Sequence, residues 1–158
     1  MLSCNVLIRE LTGRIRKMNI YTDKKIDCYT TFEGIKGRTL DMTVELSGEE
    51  YHDFTVEMAC DDEYSTAFTY NRVAGMLEID RTCWGVTKDV VCVRKIKIAD
   101  TDRKLKLRFI MDRQSIELFI NDGQQVATTA ICTPLQADGI SFNCDGSAVV
   151  DIEKYDII

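Results

Sequence analysis

At 158 residues, with 45% apolar and 29% charged residues, the chain has the size and balance of a single globular domain. Twenty Lys and Arg against 26 Asp and Glu leave a net charge of −6, which opposes nucleic acid as a partner, and no apolar run approaches the ~18 residues of a membrane span. Seven cysteines include no C-x-x-C pair and the single histidine, His52, stands apart from them, so neither a structural metal nor a cofactor is expected, and the thiols read as small buried residues of a reducing compartment.

Taken in chain order, Met1 to Leu11 is briefly apolar but carries Arg9 and Glu10. It lacks the uninterrupted apolar centre of a signal peptide, and a cytoplasmic location is expected. Val6 to Leu11 fits either a strand or the remnant of a larger unit, and Asp23 to Lys36 has no clear period. From residue 40 onward period-two alternation dominates, the pattern of half-buried strands. Leu40, Met42, Val44 and Leu46 alternate with Asp41, Thr43 and Glu45; Phe54, Val56, Met58 and Cys60 repeat the pattern. Tyr64 to Asn71 is rich in residues that favour strands, and Leu77 and Ile79 flank Glu78. Leu105, Leu107, Phe109 and Met111 share one face, followed by Ile116, Leu118 and Ile120, and more weakly by Val126, Ala130 and Cys132. Gly139–Cys144 and Ala148–Ile158 supply the last strands.

Two segments change phase. Val91 and Val93 are odd-numbered whereas Ile96 and Ile98 are even; Val150 and Ile152 are even whereas Tyr155 and Ile157 are odd. Bulges near Arg94-Lys95 and Glu153-Lys154 are expected, because a one-residue slip otherwise turns the apolar set outward. Turn signals such as Ser47-Gly48, Asp61-Asp62, Asn121-Asp122-Gly123 and Asp145-Gly146 separate the runs. The expected fold is all-β: one domain over 1–158, a two-sheet antiparallel β-sandwich of lectin-like jelly-roll type.

Residues 112–123 carry the most specific pattern, Asp112-Arg113-x-Ser115-x-Glu117-x-Phe119-x-Asn121-x-Gly123, with Gly139-Ile-Ser-Phe142 beyond it. It resembles a signature in the C-terminal β-sandwich of family 32 glycoside hydrolases, enzymes of β-fructosides such as sucrose, sucrose 6-phosphate, inulin and levan. Met76–Arg81 resembles the family's L-x-x-D-R segment, and Arg9-Glu-Leu-Thr12 the P-R-E-L segment that closes its catalytic propeller, without the proline; the resemblance implies that 1–20 is a remnant of the propeller-to-sandwich linker. The family's catalytic motifs, W-x-N-D-P-N-G, R-D-P and E-C, have no counterpart: Pro134 follows Thr133, Trp84 precedes Gly85, and no Glu precedes a Cys. A glycosidase needs two carboxylates flanking the bond, so the chain on its own is expected to be inactive.

The resemblance implies a non-catalytic module partnered by a propeller, with a second copy of the chain as another candidate partner. Asp112, Arg113, Glu117, Phe119 and Trp84 are the candidate interface residues. For the first two the local alternative is a turn capped by Asp112, with Arg113 paired to a nearby carboxylate. Trp84 reads as an anchor or as a platform for a sugar. Asp61-Asp62-Glu63 reads as a solvated turn rather than a calcium loop, for want of regular ligand spacing, and His52 as a surface residue. The alternative function is a free carbohydrate-binding module, which requires an exposed aromatic platform on a concave face with polar groups beside it.

Overall fold

The computed structural model describes residues 5–11, 14–83, 91–99 and 104–157, of which 5–17 are described as backbone alone. Ten strands, all paired antiparallel, account for the described regular structure: β1 (Asn5–Leu11), β2 (Arg14–Ile26), β3 (Leu40–Cys60), β4 (Thr66–Asn71), β5 (Met76–Asp80), β6 (Val93–Lys97), β7 (Leu105–Asp112), β8 (Ser115–Ile120), β9 (Gln125–Ala130) and β10 (Gly139–Asp156).

Two long strands organise the sandwich. The first half of β3 pairs β7 over Leu40–Leu46, and the second half pairs β4 over Asp53–Met58. Strand β10 follows β3 through both halves, from Asp156↔Leu40 to Gly139↔Cys60. One layer is therefore β1-β2-β10-β3-β7-β8-β9, the other β10-β3-β4-β5-β6, with β3 and β10 bending from one to the other. The bend lies where the ladder slips, between Cys144 and Gly146 and again between Ser147 and Val149. Gly48 (φ +100°) and Gly146 (φ +106°) sit there. A Cβ on Gly146 would lie 2.2 Å from the Glu50 carbonyl oxygen, so only glycine fits this approach.

Alternation along each strand delivers the core. Leu40, Met42, Val44, Leu46, Phe54, Val56 and Met58 of β3 are all essentially inaccessible. Phe68 of β4 meets Phe109 of β7 across the layers, ring centroids 5.0 Å apart and planes at 72°, an edge-to-face contact that adds about 1 kcal/mol to the burial of both rings. A strap over residues 27–39 continues from β2 alongside the first half of β10. It is pinned by the bridges Thr30↔Phe142 and Lys36↔Gly139, by buried Ile35, and by Phe32 between Tyr21 and Phe142.

Several expectations are corrected. No bulge interrupts β6, which pairs β5 in continuous register from Val93 to Lys97. It is an edge strand, and Val91 and Val93 simply point to solvent, 77% and 41% exposed. Nor is there a bulge at Glu153-Lys154: β10 keeps its phase and turns Lys154 inward, 3% exposed. The Lys154 ammonium donates to the Gly34 carbonyl (2.9 Å) and pairs with Asp156 (2.7 Å), so alternation continues through a charged residue that has its partners. The irregularity lies on β2, where Val150↔Lys24 is followed by Ile152↔Tyr21 and Asp23 takes φ +53°. In β9 the faces are reversed. Ala127 and Thr129 are buried, whereas Val126 (56%), Ala130 and Cys132 are exposed. The turn Asn121-Asp122-Gly123, all at positive φ, sets that register by aligning Gln125 with Ile120. Of the thiols expected to be buried, Cys144 alone among the described residues is; Cys28, Cys83 and Cys132 are exposed, and Tyr64 precedes β4 and is half-buried. Val6–Leu11 is a strand, and the unanticipated β2 is its partner.

Candidate functional site: the outward face of the β7–β8 hairpin and its sheet

Register places the signature. On β8, Ile116, Leu118 and Ile120 are buried, while Ser115, Glu117 and Phe119 point outward. On β7, Lys106, Arg108, Ile110 and Asp112 share that outward face. The candidate residues Asp112, Glu117 and Phe119 thus share one surface, with Arg113 in the turn at its end. Trp84 lies outside the described residues.

The hairpin end is held from beneath. Arg38 is 8% exposed, and its guanidinium donates to the Thr133 hydroxyl (3.0 Å) and the carbonyls of Pro134 (2.8 Å) and Ala137 (3.1 Å). It also donates to the carbonyl of Arg113 itself. A planar fork with several donors suits this cradle of carbonyls. Burial lowers the Arg38 pKa, and Asp138 offsets part of that effect. Arg38 therefore ties the β7–β8 turn to the β9–β10 loop, which presents Leu135, 52% exposed, beside Asp112, Arg113, Gln114 and Ser115. Sequence reasoning passed over Arg38, because a lone arginine outside the strands carries no signal of burial.

Neither local role expected for Asp112 and Arg113 is found. Both side chains are exposed, and among the described residues no hydrogen bond or ion pair involves the Asp112 carboxylate or the Arg113 guanidinium; Glu117 is likewise exposed and unpaired. By contrast, the Asp61 carboxylate accepts from the amides of Glu63 (2.8 Å) and Tyr64 (2.9 Å), capping its own turn.

Toward the other end of the same face, the sheet floors an open groove of about 630 Å³. One rung crosses five strands: Phe119, Arg108, Thr43, Glu153 and Ile20 lie side by side. Asp41 and Tyr155 flank it on one side, Lys106, Glu45 and Asp151 on the other. Arg108 grips Asp41 at both oxygens (2.9 and 2.6 Å), and Lys106 pairs with Asp122 at 2.8 Å. These bonds raise the pKa of both cations. The Asp23 amide donates to Asp151 at 2.7 Å, and the Tyr155 hydroxyl donates to Glu153.

The family profile described as "Glycosyl hydrolases family 32 C terminal" matches residues 8–157. A sucrose-6-phosphate hydrolase of Staphylococcus xylosus is 28% identical over 124 residues, 77% of this chain and 25% of that protein. A probable sucrose-6-phosphate hydrolase of Vibrio cholerae is 34% identical over 100 residues, 59% of this chain and 16% of that protein. The chain thus spans a quarter or less of these relatives. Among solved structures, an exo-inulinase from Aspergillus awamori superposes with a TM-score of 0.73 at 17% identity, over 98% of this chain and 35% of that one. A sucrose-6-phosphate hydrolase from Lactobacillus gasseri gives 0.71 at 21% identity, over 96% and 32%. At these identities the superpositions speak for the fold alone.

Proposed function

This chain belongs to the C-terminal domain family of the family 32 glycosyl hydrolases, and from that premise we propose that it is the non-catalytic sandwich of a β-fructosidase. The parent enzyme acts on sucrose, sucrose 6-phosphate or a fructan, a reading supported by the sucrose-6-phosphate hydrolases to which the chain is similar.

Its role is to brace the catalytic propeller through the β7–β8 hairpin. One observation carries this reading. Asp112, Ser115 and Glu117 of the signature point away from the core, while the unspecified Ile116 and Leu118 fill it; Asn121, 2% exposed, serves the fold instead by accepting from the Lys106 amide. Folding needs only apolar residues at the inward positions, so specific residues at the outward ones serve an external contact. Asp112 and Arg113 present charges with no internal partner, and the buried Arg38 clamp fixes their backbone. With that end uncovered, a second copy of the chain meets it beside Leu135. The reading places the protein in a reducing cytoplasm, supported by six described cysteines that are all free thiols.

The test has two arms. Incubated with sucrose and with sucrose 6-phosphate, the chain should release no fructose; turnover above buffer overturns the non-catalytic role. Mixed with the catalytic domain of the Staphylococcus relative, an isotope-labelled chain should show amide shifts concentrated on residues 112–117. Shifts confined to the β4–β5–β6 layer would place the docking face elsewhere.

A further inference from the structure

We propose that the groove across β8-β7-β3-β10-β2 is a binding site for an uncharged oligosaccharide, distinct from the hairpin end that braces the propeller. Four observations carry it. The volume, about 630 Å³, falls within the range of small-ligand sites. Two half-buried aromatic side chains stand in it on different strands, Phe119 on β8 and Tyr155 on β10, and the apolar face of a sugar ring packs on such surfaces. From β8 to β2 the floor crosses four strand spacings, roughly 19 Å, long enough for an extended ligand. Beside the aromatics the groove is lined by Thr43 and by Asp41, Glu45, Asp151 and Glu153.

The state of those carboxylates selects the ligand. Asp41 is locked by Arg108, Asp151 by the Asp23 amide and Glu153 by the Tyr155 hydroxyl. Each is fixed in direction with lone pairs to spare, because a carboxylate offers about four acceptor positions. Aimed acceptors suit hydroxyl donors, whose recognition depends on orientation. A cation would need only unscreened charge, and here Arg108 and Lys106 already screen two of the five lining carboxylates. The remaining acidic excess repels phosphate and sulfate, so a charged sugar ester is a poor fit.

The experiment titrates the isotope-labelled chain with three probes: a short fructo-oligosaccharide, a cello-oligosaccharide of equal length and octalysine. At least one oligosaccharide should give saturable amide shifts at Thr43, Phe119, Glu153 and Tyr155. Phe119→Ala should weaken that binding at least tenfold. Thr43→Val, which keeps shape on a central strand, should weaken it severalfold and serves where the first variant loses its native amide dispersion. Asp112→Ala should leave it unchanged. No oligosaccharide shifts up to tens of millimolar, shifts mapped outside the groove, undiminished binding by both groove variants, or groove shifts from octalysine alone would each overturn the proposal. Loss of propeller docking in Asp112→Ala with sugar binding intact would separate this site from the bracing role.

Discussion

Arg38 shows how far a single side chain governs the presented surface. Desolvating a guanidinium is costly, and several carbonyls of the 133–137 loop and of Arg113 offset that cost. Arg38→Met keeps the stem but takes this donor from the carbonyls of Arg113, Thr133 and Ala137, Pro134 alone retaining the Ala137 amide, so a loss of about 3 kcal/mol in urea unfolding is expected. A fall under about 0.5 kcal/mol would mean that water replaces the clamp. Cys144 makes a prediction in pH. Burial first, and then Asp145, Asp27 and Asp53, push its thiol from 9.0 to about 11. The folded chain therefore holds this proton more tightly than the unfolded chain. The associated stability is complete below pH 9 and is lost as pH rises toward 11. Tyr51, raised mainly by burial, works in the same direction. The urea midpoint of the native chain should fall more steeply between pH 9 and 11 than that of Cys144→Ala; equal slopes would rule out the thiol as the source.

At the scale of elements, the bends in β3 and β10 are the feature that makes two layers from one hydrogen-bonded network. Gly146→Ala forces a Cβ against the Glu50 carbonyl at a positive φ. It should cost about 3 kcal/mol or more, whereas Gly123→Ala, whose Cβ would meet only the flexible Phe119 ring at 4.0 Å, should cost less. Thermal melts of the two variants compare them directly, and equal losses would mean that the corner relaxes freely. The opposite edges, β6 and β9, meet through side chains: Gln125 donates to the Lys97 carbonyl (2.7 Å) and accepts from the Ala99 amide (3.0 Å), while Arg94 reaches the Thr128 carbonyl. Gln125→Ala should speed hydrogen exchange at Ala99 with little change in global stability; unchanged exchange would deny the clip. These edges also show where sequence reading stops. Alternation located β7, β8 and the two halves each of β3 and β10, because each buries one full face; it took the bends at Ser47-Gly48 and Asp145-Gly146 for turns between separate strands, where single strands run through. It misjudged β9, where a turn with three residues at positive φ set the register against the apolar count, and β6, where an edge strand needs no inward face. Lys154 defeated the period because an inward charge is acceptable once Gly34 and Asp156 receive it.

For the whole molecule, the signature at Asp112–Gly123 made the family legible, since its spacing records both the strand period and the turn. The candidate surface was legible only in part. Outward positions follow from alternation, but the groove depends on which strands lie side by side, and nothing local says that Thr43 lies between Arg108 and Glu153. The same topology dictates how the chain unfolds. Because β3 and β10 run through both layers, removing either layer strips one side of Phe68 and Phe109 and exposes the core of the other. Neither layer holds a face that it can bury alone. Urea unfolding should therefore be a single cooperative transition, with far-UV and near-UV circular dichroism coinciding and one midpoint for amide exchange in β4 and β8. Refolding should be slow for this length, in the range of milliseconds to seconds, because most of the ladders join residues far apart in sequence. Two separated transitions, with β4-β5-β6 melting before β7-β8-β9, would show that the bent strands hinge rather than couple the layers, and that the hairpin face keeps its shape without the layer behind it.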